Sequence, residues 1–272
     1  MTRPMTPRVW TATLLAVALL ASCDWFEKNT VQSIAGPVPA GARIRFFNFG
    51  VGSPAVNFYA DNRKMTAIGS LTGRESNLGV AYGGVGAGGF YTAIAAGSYT
   101  LSGKIADTAA AVHDLAISNV TATLAGDKAY SFYQSGIYDA GTKTVDAFVV
   151  EDNFVPQIDY GVAYVRFVHA ISNANPLTLY ATKTAPPDSA VVFPIGAAVA
   201  YKGAGAFTAL AAGIYNLGVR YTDSTTNKIS RPGVSLSAGR IYTITARGNI
   251  TVTPTTTCPA TSTTCLDNTV NR

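Results

Sequence analysis

Ala93-Ile94-Ala95-Ala96-Gly97-Ser98-Tyr99 and Ala209-Leu210-Ala211-Ala212-Gly213-Ile214-Tyr215 are two versions of one element. Ala-Ala-Gly is turn chemistry, with the glycine free to take positive φ. After the first turn Tyr99, Leu101 and Ile105 alternate with Thr100, Ser102 and Lys104. After the second, Tyr215, Leu217, Val219 and Tyr221 alternate with Asn216, Gly218 and Arg220. Period two places each apolar set on one face of a strand, with the polar set on the other. A turn running into a strand therefore occurs twice in this chain.

Working outward, the neighbouring segments recur as well. Ala42-Arg43-Ile44-Arg45-Phe46 through Phe58-Tyr59-Ala60 aligns with Ala163-Tyr164-Val165-Arg166-Phe167 through Leu179-Tyr180-Ala181. Val80-Ala81-Tyr82 meets Val199-Ala200-Tyr201, and Leu124-Ala125-Gly126 meets the Leu236 to Gly239 region. A spacing of roughly 120 residues is a domain duplication, since solenoid repeats run about 20–50. Asp61-Asn62 reads as a hairpin tip between Val56–Ala60 and Arg63–Ile68. Val120–Leu124, Ala129–Tyr133 and Val145–Val150 complete the strands of the first copy. The best helical candidate after the N-terminal segment, Thr108–Val112, is short. The expected fold is all-β: two tandem immunoglobulin-like antiparallel β-sandwich domains, 42–152 and 160–250, after a lipoprotein signal peptide and short linker. A small antiparallel barrel is the alternative. Neither copy contains cysteine, so each is expected to fold alone by core burial. Asn153-Phe154-Val155-Pro156 would join them, and 251–272 reads as a Thr/Pro-rich tail, a spacer or an irregular edge.

The run Tyr164-Val165-Arg166-Phe167-Val168-His169-Ala170, the apolar pair before Tyr180, Ala211-Ala212-Gly213-Ile214-Tyr215 and Ser237-Ala238-Gly239-Arg240-Ile241-Tyr242 together resemble the bacterial family named domain of unknown function 4397. The first copy has the same elements, with Phe47-Asn48-Phe49 in place of Val168-His169-Ala170. The resemblance covers about residues 42–250. It implies an exported or cell-surface protein, often with tandem copies. It implies no catalytic residues.

Residues 1–22 read as an export signal. Arg3 and Arg8 precede an apolar run, Val9 to Leu20, too short for the roughly 20 residues that span a bilayer. It ends in Leu20-Ala21-Ser22-Cys23, which resembles a lipobox, so Cys23 is the expected lipidation site. Ordinary signal-peptidase cleavage near Ala21 is the alternative. Two or three acyl chains, palmitate among them, would hold the protein stably on a membrane. Residues 23–41 would form the lipidated tether, with Trp25 and Phe26 near the headgroups. Asp24 resembles an inner-membrane retention signal of enterobacteria. Outer membrane or cell surface is favoured, with the periplasmic face of the inner membrane as the alternative. Cys258 and Cys265 remain as an even pair outside the cytosol, expected to form a disulfide within the chain or between chains.

Composition excludes several chemistries. Charged residues make up 13% and apolar residues 48%, which argues against disorder. The net charge is +5, or +3 once Arg3 and Arg8 are discounted. Dense Lys/Arg clusters for nucleic acid are missing. There are two histidines. His113 sits beside Asp114, and His169 aligns with Asn48, which points to fastening of a turn rather than proton transfer. Asp139 with Asp146, or Glu151-Asp152, are the carboxylates a hydrolase would need, and nothing in the sequence orients them. Asp139-Ala140-Gly141-Thr142 reads as a hairpin turn rather than a calcium loop. Gly84-Val85-Gly86-Ala87-Gly88-Gly89 matches a dinucleotide fingerprint formally, but a strand follows where a helix is required. No cofactor and no metal are expected. Tyr82/Tyr201, Tyr99/Tyr215 and Tyr130/Tyr242 recur in both copies and are assigned to the shared core. Tyr91, Tyr133, Tyr138 and Tyr160 lack clear counterparts and are the candidate surface-binding aromatics.

The sequence thus points to a non-enzymatic, lipid-anchored cell-envelope protein acting as a binding or structural module. Its expected partners are the membrane, through Cys23, and an envelope protein or polysaccharide. A carbohydrate- or polymer-binding surface protein is the second reading and an envelope hydrolase the third.

Overall fold

The computed structural model of this chain describes residues 41–66, 78–107, 109, 111–185, 191–259 and 262–271. The signal, Cys23 and nearly all of the tether lie outside the described residues.

The first copy contributes β1 (Ala42–Val51), β2 (Val56–Ala60), β3 (Arg63–Lys64), β4 (Gly84–Val85), β5 (Thr92–Ile94), β6 (Gly97–Ile105), β7 (Ala116–Leu124), β8 (Ala129–Asp139) and β9 (Thr144–Glu151). The second contributes β10 (Val162–Ala170), β11 (Leu177–Lys183), β12 (Val192–Val199), β13 (Thr208–Ala211), β14 (Gly213–Tyr221), β15 (Ile229–Leu236), β16 (Ile241–Arg247) and β17 (Cys265–Val270). Among the described residues the sole helical element is one 3-10 turn, Gly86–Gly89. In each copy an outer sheet packs on an inner one. The outer sheets run β3-β2-β6-β7 and β12-β11-β14-β15; the inner sheets run β4-β1-β8-β9, with β5 also on β1, and β13-β10-β16-β17. Strand pairs are antiparallel except β1–β8 and β10–β16, which are parallel in the same register (Arg45 opposite Ser131, Arg166 opposite Thr243).

The expected hairpin tip is present: Asp61 takes a φ of 51°, and its carboxylate accepts the Thr100 amide at 2.8 Å. The Thr- and Pro-rich segment needs correction. It does not simply trail away as a tail, because β17 pairs with β16 from Arg247 opposite Cys265 to Tyr242 opposite Val270. Cys258 and Cys265 are joined by a disulfide, with their Cα atoms 5.6 Å apart.

Each sandwich has its own core. In the first, Phe46 stacks on Phe58 at 5.2 Å and meets Phe132 at 5.8 Å, beside Ile44 and Leu101. In the second, Val165, Phe167, Leu179, Leu217 and Ile244 are buried together. Alternation along the inner strands then has a further consequence. Ile44 and Phe46 point into the first sandwich, so Arg45, Phe47 and Phe49 point away from it. Val168 and Ala170 point away from the second. These outward faces meet: Phe47, Phe49, Tyr133, Phe148, Val168 and Ala170 form a third buried cluster. Tyr133 stacks on Phe47 at 4.7 Å and on Phe148 at 5.0 Å. The layers therefore run outer, inner, inner, outer, and the third core belongs to neither copy alone. Burying each such aromatic contributes about 1.5–3 kcal/mol.

Candidate functional site

The seam between the inner sheets gathers most of the buried ionisable chemistry. Arg45, Arg166 and Arg247 are the largest fully buried side chains. Each needs partners, because an unpaired charge away from water is costly. Their partners follow an approximate twofold relation between the copies, the arrangement of an isologous dimer interface written into one chain.

Arg166 lies on β10 and reaches across the seam to the end of β9. It donates to the Asp152 carboxylate and, at 3.1 Å, to the Glu151 carbonyl, while its Nε donates to Thr243 Oγ1 at 3.0 Å. Asp152 also accepts the hydroxyls of Tyr91 at 2.6 Å and Ser131 at 2.7 Å. Burial, and then the adjacent Asp152 charge, push the Tyr91 hydroxyl far above its ordinary range. The Phe207 ring covers the Arg166 guanidinium at 4.8 Å, a cation–π contact.

Arg45 lies on β1 and reaches to the end of β17. It donates to the Val270 carbonyl at 3.4 Å. With the Asn271 amide turned as its neighbours require, the amide oxygen accepts from Arg45 at 3.3 Å. Tyr91 covers this guanidinium at 4.3 Å. Asn271 is the backbone equivalent of Asp152: the Asp152 amide donates to Ala129, the Asn271 amide to Ile241, both at 2.7 Å. Arg45 forms no ion pair among the described residues, and its Nε has no partner because Ser131 turns to Asp152 instead.

A second pair of crossings involves Tyr82 and Tyr201. Tyr82 donates to the Thr263 carbonyl of the other copy and lies under the Arg247 guanidinium at 4.9 Å. Tyr201 bonds Ser135 at 2.9 Å and donates to Asp146 at 3.1 Å. This corrects the assignment of Tyr82 and Tyr201 to a shared core; they clasp the opposite copy. Arg247 pairs with Asp267 at 3.0 Å and donates to the Ser262 carbonyl at 3.0 Å. Tyr99 and Tyr215 do keep a common internal role, each donating to the carbonyl four residues earlier, Ala95 or Ala211. Tyr130 and Tyr242 likewise each accept a backbone amide, from Ala125 or Ser237.

The four candidate surface aromatics do not form one face. Tyr133 is fully buried in the third core, and its expected surface role is overturned by the layer packed over it. Tyr91 is engaged by Asp152 and Arg45, and Tyr138 is half-buried against the first core. Tyr160 is exposed. Among the described residues, the large exposed aromatic outside that set is Phe90, 78% exposed at the end of the glycine turn. Its position directly after Gly86–Gly89 was the available signal.

The carboxylates considered for hydrolysis each serve a role of their own. Asp139 caps its own turn, accepting from the Gly141 and Thr142 amides, which hold its carboxyl below the usual range. Asp146 pairs with Lys202 at 3.1 Å and Glu151 with Lys128 at 2.8 Å. The described residues hold no cluster of three or more His, Cys, Asp or Glu side chains that could hold a metal ion. His169 is buried, with Nε2 3.3 Å from the Asn175 carbonyl, and desolvation lowers its pKa. The glycine run leads into β5, not a helix.

Two openings flank the seam. One, of about 430 Å³, is lined by Arg166, Phe207, Glu151 and Phe154. The other, of about 510 Å³, lies between the glycine turn and β17 and is lined by Phe90, Tyr91, Arg240, Asp267, Asn271 and neighbouring residues.

No curated protein matches the chain in sequence. The crystal structure of a candidate cell adhesion protein from Bacteroides ovatus is similar at a TM-score of 0.23 and 12% identity, covering 87% of this chain and 97% of that one. The family described as Domain of unknown function (DUF4397) matches residues 42–180 and 163–269, and the chain, carrying its duplicated sandwich across those same segments, belongs to that family.

Proposed function

We propose that this is a non-enzymatic, lipid-anchored protein of the bacterial cell envelope, whose duplicated domain serves as a rigid binding or structural module. The observation that carries the reading is the seam. Asp152 and Arg166 are bound to each other across the two copies, and Arg247 and Asp267 are bound to each other within the second, with backbone carbonyls completing both arginines. Groups committed in this way hold a scaffold together and are not poised to react. Lipobox-like residues ending at Cys23 supply the anchor, and the tether would let the head stand off the membrane. The outer membrane or cell surface is the favoured site.

Metabolic labelling with palmitate, followed by membrane fractionation, tests this. Cys23→Ala is expected to lose both the label and the membrane association. A labelled or membrane-bound variant would overturn the anchor.

Carbohydrate or polymer binding is the second reading. It is favoured by Phe90, an exposed aromatic on the rim of an opening whose wall includes Arg240, Asp267, Asn268, Thr269 and Asn271. A hydrolase has least support, because Asp139 and Asp146 serve a turn and an ion pair.

A further inference from the structure

The two ends of the seam occupy equivalent places, so each serves as a reference for the other. At the β9 end, Glu151 pairs with Lys128 and Asp152 with Arg166. At the β17 end the register places Val270 where Glu151 stands, since Tyr130 faces Glu151 and Tyr242 faces Val270. Asn271 stands in place of Asp152. The cations are kept: Arg240 corresponds to Lys128 and Arg45 to Arg166. One end therefore carries two cations with two carboxylates, and the other carries two cations with none in those positions. Asp267 does not make up the difference, because Arg247 holds it.

We propose that the pocket of about 510 Å³ at this end binds a carboxylate-bearing sugar, a uronic-acid unit of an envelope or extracellular polysaccharide. The proposal rests on the carbohydrate reading above and names its chemistry. Arg240, exposed on the rim and without an ion pair among the described residues, receives the carboxylate. Arg45 lies directly behind Tyr91 and Asn271, fully buried, and adds a positive field that water screens little. Phe90 offers an open ring face for the C–H side of a sugar. Gly88 and Gly89, at φ of 64° and 86°, leave that wall free of side chains. The β9 end shows the same chemistry satisfied from within: there a carboxylate sits on the equivalent arginine, and Phe154 of the same chain packs on Phe207 at 5.7 Å.

The test is titration calorimetry on the full-length protein in detergent, with a galacturonic-acid trimer and a neutral galactose trimer as probes. The acidic trimer is expected to bind and the neutral one to bind at least about tenfold more weakly, the worth of a charge-assisted contact. Arg240→Gln and Phe90→Ala, both at exposed positions, should each weaken the acidic trimer by about tenfold. Asn271→Asp supplies the missing carboxylate from the chain and should abolish binding while raising the melting temperature. Equal binding of both probes would overturn this proposal and leave the carbohydrate reading standing. Binding that survives all three variants would overturn it by placing the site elsewhere. Failure of both probes to bind would sink the proposal and the carbohydrate reading together. None of these outcomes alters the palmitate test of the anchor.

Discussion

Arg166 and Arg45 hold the same position in the two copies, reach the same place in the opposite copy, and find different partners there. Arg166 meets the Asp152 carboxylate and Arg45 the Asn271 amide. The two copies present equivalent inner strands to each other in the same register. Where the partner is a carboxylate, the seam is closed by an ion pair. Where it is an amide, the same guanidinium is left with stacking and long bonds. A pseudo-symmetric molecule thus separates two settings of one residue: an ion pair at one end, and at the other a buried positive charge with no carboxylate on it.

The sharpest way to break the comparison is to separate the copies. A chain ending at residue 152 would bare Phe47, Phe49, Tyr133 and Phe148, all buried in the joint core. Four large side chains at about 1.5–3 kcal/mol each match the whole stability of an ordinary domain. Either half alone is expected to be aggregated or dimeric by light scattering, or unfolded by circular dichroism. A well-dispersed, monomeric half would show that the third core is dispensable.

The next largest effect lies in the clasp. Asp152→Ala strands Arg166 and leaves the Tyr91 and Ser131 hydroxyls without their acceptor. Breaking one side of a buried pair costs about 3–5 kcal/mol. Arg166→Met, which leaves the carboxylate stranded, should cost a similar amount. Arg45→Met leaves no charge behind and should be nearly neutral. Urea denaturation of the three variants ranks them, and equal losses for Arg45→Met and Arg166→Met would erase the distinction between the ends.

The disulfide comes third. Cys258→Ser opens a short loop, for which the chain-entropy model gives about 2.5 kcal/mol. Read from sequence, that energy is local. In the structure the bridged segment holds the Ser262 carbonyl on Arg247 and the Thr263 carbonyl on Tyr82 of the other copy. The loss should therefore register in the global melting transition, and a melting temperature unchanged by the variant would return the bridge to a local role.

Much of the fold was legible because hairpins are written locally. Asp61-Asn62, both Ala-Ala-Gly turns and the period-two runs fix strands without reference to anything distant. The seam was not legible for the opposite reason: half of what buries an inner strand comes from the other copy. One clue was present. Phe46, Phe47 and Phe49 put aromatics on both faces of β1, and a strand apolar on both faces is covered on both. Tyr82 and Tyr201 mislead because recurrence suggests an internal role, although a twofold interface repeats its residues just as faithfully. The edge strand β17 hid behind threonines and prolines. Its pairing is mostly backbone, and of its six residues Cys265 and Leu266 are buried.

The smallest effect concerns a buried position, outside the clasps, where one copy has an ionisable group and the other does not. Asn48 in the first sandwich bonds the Val80 carbonyl at 2.8 Å and accepts from Gln134 at 2.9 Å. His169 does the same fastening in the second, bonding toward Asn175 and Ile171 with its ring edge-on to Phe167 and Tyr201. Asn48 carries no proton equilibrium, and His169 does. Desolvation lowers the His169 pKa below its ordinary value, so the folded state holds the imidazole neutral where the unfolded chain would protonate it. The unfolded state then binds more protons, and stability rises with pH through this range. The contribution is complete above the ordinary imidazole pKa of about 6.5 and is lost as the pH falls below it. His169→Asn copies the first sandwich into the second and should flatten the dependence of melting temperature on pH between neutral and mildly acidic conditions. A slope unchanged by His169→Asn would mean that the acid sensitivity of the fold resides elsewhere, with the carboxylates of the seam as the next groups to substitute.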